Sequence, residues 1–348
     1  MDYSPGLRGV IAGETQISTV GMEGTSLRYR GYDAVGLTNT NTYEDVASLI
    51  IDDDLDGELF KKSFSNHYKK LSEDSGLIEL INRLKTEQHP MDVTRTAISY
   101  IGEANESNKL DAASKVTAIA CLAIASYNKE LSDVLDQKYT VASSLLPNSS
   151  TQQQLEALDD MLILYAEHGF NASTFAARVT ASTRSDLISA IVSGVGTLKG
   201  ELHGGANEAA VELINSFKTP EDAKKGVYQL LEDKKKIMGF GHGVYKIQDP
   251  RSPVVKNWVE VLSTSEESIN KYEIAKTIDS IMDSEKKLFP NVDFYGGLLL
   301  SELGFAVDVF TPIFVAGRSV GWSAHYFEQR NQDTLIRPAA KYTGLQER

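Results

Sequence analysis

Residues 238–251 read MGFGHGVYKIQDPR, with three glycines around His242 and with Lys246 and Arg251 close behind. A loop of this kind decides between two fold classes. If a buried strand leads in and a helix leads out, it is the phosphate-cradling turn of a doubly wound α/β sheet. Here LLEDKKKIM at 230–238, a charged helix end, leads in, and Asp249-Pro250 interrupts the way out. The context is wrong for a dinucleotide loop. The glycines must instead bring backbone and His242 close to something else, or mark a tight turn.

Outward from this loop the chain reads as helix. Between 271 and 289, Tyr272, Ile274, Ala275, Ile278, Ile281, Met282, Leu288 and Phe289 recur at steps of three and four, the spacing of one helix face. Thr219-Pro220-Glu221-Asp222 supplies a cap, a proline and two acids for a helix start, each suited to the unpaired amides there. Ser252-Pro253 suggests a second cap, and Ser185-Asp186 opens LISAIVSGVGTL, whose small residues permit close packing. Strand signals are scarce: GVIAGETQISTV at 9–20, with GTSLRYRG at 24–31 as a short hairpin partner. A mainly α protein is expected.

Bulk properties narrow the function. At 348 residues the chain suits one large domain or two unequal ones. A formal net charge of −13 repels polyanions, so nucleic acid is not an expected partner. The single cysteine, Cys121, lies in the apolar run VTAIACLAIA and reads as a small buried hydrophobe. No basic-then-apolar leader and no apolar run of about 18 residues is present. An intracellular, cytoplasmic and soluble protein without a membrane partner is expected.

Glycine-rich points fall at GELHGGAN (200–207), GFGHG (239–243) and DFYGG (293–297), and carry His203, His242 and Asp293. As metal ligands these three lack any short-range pair such as HxxxH, although two histidines and a carboxylate are a possible triad. As metal-free acid–base groups they divide the work differently: the carboxylate takes a proton while the histidines act on oxygens. Arg251, Arg318 and Arg337 are then available to grip carboxylates through planar forks. On local context, His168 at the end of LILYAEHGFN reads as a core histidine. His325, one turn from Glu328, reads as half of a structural pair.

Taken in order, these motifs resemble citrate synthases, including 2-methylcitrate synthases, and the shorter bacterial and archaeal members above all. The resemblance runs from GLRGVIAGETQIS and LRYRGYD through HPMDVTRTAIS, AEHGFNASTFAARV and KGELHGGANE. It continues through GFGHGVYKIQDPR, NVDFYGG, GRSVGWSAHYFEQ and IRPAAKYTG. It implies a large helical domain (1–207 and 311–348) and a smaller helical one (208–310), with the active site in the cleft between them. It implies condensation of acetyl-coenzyme A with oxaloacetate, as in the tricarboxylic acid cycle, giving citrate and free coenzyme A. The variant reaction with propionyl-coenzyme A stays open, as does the more remote metal-dependent hydrolase. No tightly bound cofactor or metal is implied, since the coenzyme A thioester is a co-substrate.

Residue by residue, the resemblance implies that His203 bonds the thioester carbonyl oxygen and that Asp293 takes the acetyl proton. It implies that His242 polarises the keto group, and that His168, Arg251 and Arg318 bind oxaloacetate, which replaces the core reading of His168. Arg337 is implied to complete the neighbouring subunit's site in a homodimer, and Lys246 to contact coenzyme A phosphate. Three positions depart from the family's usual residues: Glu201 for proline, Gly243 for arginine and Gly296 for serine. They are expected to act on the pKa of His203, on coenzyme A contact and on the surroundings of the base.

Overall fold

A computed structural model describes residues 4–7, 9–128 and 139–345, with the backbone alone at residue 23. Among the described residues are sixteen α-helices and one small sheet. The mainly α expectation holds. The organising element is the helix Phe310–Gln332, whose side chains are buried almost continuously from Phe310 to Phe327. A helix that is apolar or small all round, as FTPIFVAGRSVGWSA is, has to be enclosed on every side. Helices Tyr43–Asp52, Lys109–Ala125, Gln152–Tyr165, Ala172–Ser182 and Leu187–Leu198 enclose it. Small residues set the distances. A Cβ on Gly317 would lie 3.0 Å from Tyr165 Cβ, and one on Gly194, in LISAIVSGVGTL, would lie 3.0 Å from the Trp322 ring.

A second group of helices packs chiefly on itself: Ala206–Asn215, Pro220–Glu232, Ser252–Leu262, Glu266–Lys286 and Val292–Glu302. It meets the first group where Ser252–Leu262 lies against Gln152–Tyr165, and there Trp258 Nε1 donates to Asp160 Oδ2 at 2.6 Å. Within the group, Ala206–Asn215 crosses Val292–Glu302 at Gly297. A Cβ there would stand 2.5 Å from the Asn207 carbonyl oxygen and 2.7 Å from Val211. This crossing fixes the helix that follows His203 against the helix that begins beside Asp293. Gly297→Ala is therefore expected to cost about 1–3 kcal/mol through overpacking and to lower the thermal midpoint. An unchanged midpoint would show that the crossing is not tight.

The sheet has three short antiparallel strands: β1 (Ser18–Val20), β2 (Leu27–Tyr29) and β3 (Tyr32–Asp33), with Thr19 opposite Arg28 and Tyr29 opposite Tyr32. The strand signal over 9–20 shrinks to its last three residues, because Val10 and Ile11 face solvent and have nothing to pair against. Tyr29 is fully buried, and its hydroxyl donates to the carbonyls of Ile163 and Glu167 at 3.0 and 3.1 Å. The hairpin thus clamps the end of the helix that delivers His168.

Two other local readings change. The periodic stretch 271–289 is the helix Glu266–Lys286, which ends at Lys287 in a left-handed conformation. Leu288 and Phe289 therefore leave the helix face. Ser252 does not cap its helix: Arg251 holds the cap position, and Ser252 is buried in the first turn. Thr219 and Asp186 do cap theirs, accepting from the amides of Asp222 and Ser189.

Candidate active site

Six of the eight site residues read from the sequence line one cavity of about 680 Å³: His168, His203, His242, Arg251, Asp293 and Arg318. The GFGHG loop is built by pairing rather than by phosphate contact. Phe240 forms an antiparallel bridge with Pro290, Gly241 N donates to the Phe289 carbonyl and Asn291 N donates to the Gly239 carbonyl. Gly239 and Gly241 have φ of 85° and 72°, a region open to glycine without strain. This zipper ties the His242 loop directly to the start of the Val292–Glu302 helix. Asn291 caps that helix by accepting from Asp293 N at 3.0 Å.

The ring nitrogens can be assigned from their donors. His242 Nδ1 accepts from the backbone amides of Val244 and Tyr245 at 3.0 and 3.2 Å. His203 Nε2 accepts from Ser173 N at 3.2 Å and lies 2.8 Å from Ser173 Oγ. An amide can only donate, so His242 carries its proton on Nε2 and His203 on Nδ1. Both rings stay neutral at physiological pH. Burial, and then Arg318, hold His203 down at about 4. Burial, and then Arg251, do the same for His242, also at about 4. His168 is lowered well below the ordinary value by burial and then by the two arginines. Its Nε2 lies 3.0 Å from the Tyr245 hydroxyl.

Asp293 behaves in the opposite sense. Its burial pushes the carboxyl up to about 6, against the attraction of Arg251 and with help from Asp249. A base with a pKa near the working pH combines adequate ionisation with proton affinity. The two arginines differ in availability. Arg251 Nε and Nη2 grip both oxygens of the fully buried Asp249, whose Oδ2 also accepts from Val292 N. Arg318 is as deeply buried, yet its guanidinium makes one hydrogen bond among the described residues, from Nε to the Tyr165 carbonyl at 2.7 Å. Neither terminal nitrogen bonds another described residue, which leaves a planar fork of the kind that grips a carboxylate.

Two expected residues lie elsewhere. Lys246 is outside the cavity and exposed; its amide bonds the Gly24 carbonyl and its ammonium the Gly243 carbonyl at 3.0 Å. Arg337 is exposed in the segment after the last helix, away from the cavity. Residues that sequence reasoning passed over include Ser173, Tyr245, Asp249 and Lys236. Asp249 was visible only as the helix-breaking half of Asp-Pro. Ser173 sits five residues after His168 but acts on His203, a contact only the fold creates.

The three departures also find their places. Glu201 is exposed, and the pKa of His203 is set by burial and Arg318, not by Glu201. Gly243 has open space where a side chain would stand. At Gly296 a Cβ would lie 2.7 Å from Met161 Cε and 3.1 Å from the Tyr165 hydroxyl. The room a serine would need is filled, and a phenol lies on that side of the helix. Among the described residues no group of three or more His, Cys, Asp or Glu side chains is disposed to hold a metal. None of the described helices is long and apolar enough to cross a membrane.

The citrate synthase C-terminal domain family model matches residues 6–339. The chain belongs to the citrate synthase family. It is an enzyme of the citrate or 2-methylcitrate synthase type. It is 40% identical to a 2-methylcitrate synthase of Shewanella oneidensis, over 99% of this chain and 95% of that one. It is 37% identical to citrate synthase 2 of Bacillus subtilis, over 99% and 96%. Its backbone superposes with a TM-score of 0.88 on the citrate synthase of Thermoplasma acidophilum, solved with carboxymethyl coenzyme A and oxaloacetate. That match covers 100% of this chain and 97% of the other at 28% identity. Members of this family use coenzyme A thioesters, so the open fork of Arg318 and the neutral histidines sit in an enzyme built for carbon–carbon condensation.

Proposed function

We propose that the enzyme condenses acetyl-coenzyme A with oxaloacetate and hydrolyses the resulting thioester, releasing citrate and coenzyme A in the cytoplasm. The observation that carries this reading is one cavity holding a buried carboxyl poised near pH 6 and a neutral histidine with its proton on Nδ1. Asp293 takes a proton from the acetyl methyl, and the electrons move onto the thioester oxygen, where His203 Nδ1–H meets them. The enol carbon attacks the keto carbon of oxaloacetate. His242 Nε2–H, already bonded to that keto oxygen, gives its proton to the new alkoxide. Arg318, Arg251 and His168 hold the keto acid, and water then cleaves the citryl thioester to free the thiol. General base assistance supplies about 10²–10⁴-fold. A preorganised donor at the oxyanion supplies about 3–4 kcal/mol more.

In this proposal residues 208–310 form the small domain, which closes on 1–207 and 311–348 and expels water from the cleft. The self-packed helices between Ala206 and Glu302 support that boundary. The proposal also includes a homodimer in which Arg337 of each subunit reaches its neighbour's cavity, which suits a basic residue exposed in the segment after the last helix. Lys246, exposed on the loop that carries His242, is assigned to coenzyme A phosphate.

The 40% identity to the Shewanella oneidensis protein favours a second reading, in which propionyl-coenzyme A is the thioester and 2-methylcitrate the product. One methylene is worth about 1–3 kcal/mol in an apolar pocket. The two thioesters are therefore expected to differ by roughly 10- to 200-fold in kcat/KM. Thiol release measured with each thioester and oxaloacetate decides between the readings. No release with either would overturn both.

A further inference from the structure

Behind the cavity wall runs a buried hydrogen-bonded chain that the reaction leaves unused. Arg178, fully buried, donates from Nε to Gln329, from Nη1 to Glu328 and to His325 Nδ1 at 2.9 Å, and from Nη2 to Gln332. Because arginine only donates, His325 Nδ1 accepts, and its Nε2–H passes the chain on to Glu167 Oε1 at 2.9 Å. The same oxygen accepts from Ser18 Oγ at 2.9 Å and Gly169 N at 2.5 Å. His325 is thus bonded chiefly to Glu167 and Arg178, while Glu328 stands 3.9 Å away.

Glu167 Oε1 has three donors. Oε2 has none among the described residues, although the side chain is completely buried. A buried carboxylate oxygen without a donor needs an explanation. A Cβ placed on Gly321 would come within 2.5 Å of Glu167 Oε2 and 3.3 Å of Arg318 Cδ. The free oxygen and the arginine stem therefore share the space above Gly321. Arg318 in turn is a buried cation that no described carboxylate pairs directly.

We propose that Glu167 is a positioning residue, the internal counter-ion that stabilises the buried Arg318 while leaving its fork free for a substrate carboxylate. A direct salt bridge would occupy the fork, as Asp249 occupies Arg251. A carboxylate held just off it balances the charge and blocks nothing. The Arg318 charge, after His325, helps hold the Glu167 carboxyl below its ordinary range against burial, and Glu167 is the foremost charge opposing the desolvation of Arg318. Asp293 acts on the same guanidinium more weakly. The inference rests on the reading that Arg318 receives a carboxylate of the keto acid.

Glu167→Gln tests the charge alone. The amide oxygen keeps all three donors of Oε1, and the amide nitrogen takes the place of the donor-free Oε2. The ligand-free variant is expected to lose roughly 5–10 °C in Tm, as a buried cation left alone does. Oxaloacetate is expected to bind about tenfold more tightly, since it now supplies the missing charge, with the KM for the thioester within about twofold of wild type. A purely structural role would instead weaken both ligands. An unchanged Tm, or weaker oxaloacetate binding by calorimetry, overturns the proposal.

Adding Arg318→Met to Glu167→Gln should restore most of the lost Tm, because the uncompensated cation is gone. If the single variant does not fold, a folded double variant supports the pairing and an unfolded one overturns it. A wild-type enzyme that fails to bind oxaloacetate would defeat the functional reading instead. The ligand-free cycle would still report on the pair.

Discussion

Asp293→Asn is expected to abolish thiol release from the thioester in the presence of oxaloacetate and, at pH 8, to make the protein more stable. Loss of activity follows from the proposed role: an amide cannot take the methyl proton, and in the same proposal the neutral histidines nearby are hydrogen-bond donors toward oxygen, not bases toward carbon. The fall should be at least about 10⁴-fold, the upper end of what a positioned base supplies. The gain in stability follows from burial. In the folded chain the carboxyl titrates at about 6 rather than at its ordinary 3.8. A group raised on folding gives its full stability below the unfolded value and loses it as pH rises through the folded one. Above pH 6 the ionised side chain thus costs roughly 3 kcal/mol, which asparagine does not incur.

Thermal melts of the two proteins at pH 5 and pH 8 check this, with the variant's advantage growing between them. Equal melting at both would mean that Asp293 is not held up by its surroundings. In the wild-type enzyme the same carboxyl, as the proposed base, is expected to set an acidic limb. The kcat/KM should fall as pH drops through about 6, when the base becomes protonated, while His203 and His242, both at about 4, add no limb above pH 5.

The grouping of this candidate site was legible where glycine and titratable side chains fall together in sequence. His203, His242 and Asp293 each stand beside glycines that the fold then uses for close approach, as at Gly239 against Phe294. The helical class was legible because FTPIFVAGRSVGWSA has no polar face. Contacts made across the fold were not legible. Ser173 is an ordinary small polar residue until the Ala172–Ser182 helix brings its amide to His203. Glu167 looked like a neighbour of His168, yet its partners Ser18 and His325 lie 149 and 158 residues away. Nor could the sequence distinguish Arg251, tied to a buried aspartate two residues earlier, from Arg318, whose fork is left open. The strand signal at 9–17 failed for a related reason: alternation specifies a strand only where a partner edge exists.

His203→Ala carries the second large effect, a fall in kcat of about 10²–10³-fold with little change in the KM for the keto acid. The reason lies in when the contact matters. A carbonyl oxygen in the bound thioester needs little help, whereas the enolate oxygen that forms as the proton leaves carries most of a negative charge. A donor fixed beforehand is worth about 3–4 kcal/mol there. His203 is fixed: burial and Arg318 keep it neutral, and the Ser173 amide claims Nε2, so the proton stays on Nδ1. The serine hydroxyl lies 2.8 Å from the ring and is itself anchored, donating to Asn171 Oδ1 at 2.8 Å and accepting from Trp322 Nε1 at 3.2 Å. Ser173→Ala leaves the amide donor in place and is expected to cost only about tenfold in kcat, the worth of one hydrogen bond. Steady-state kinetics of both variants with each substrate in turn provide the check. Equal losses in the two variants would assign the effect to disturbed packing, and an unimpaired His203→Ala would remove His203 from the oxyanion. The graded result, hundreds-fold against tenfold, is what a neutral imidazole aimed by a backbone amide has to give.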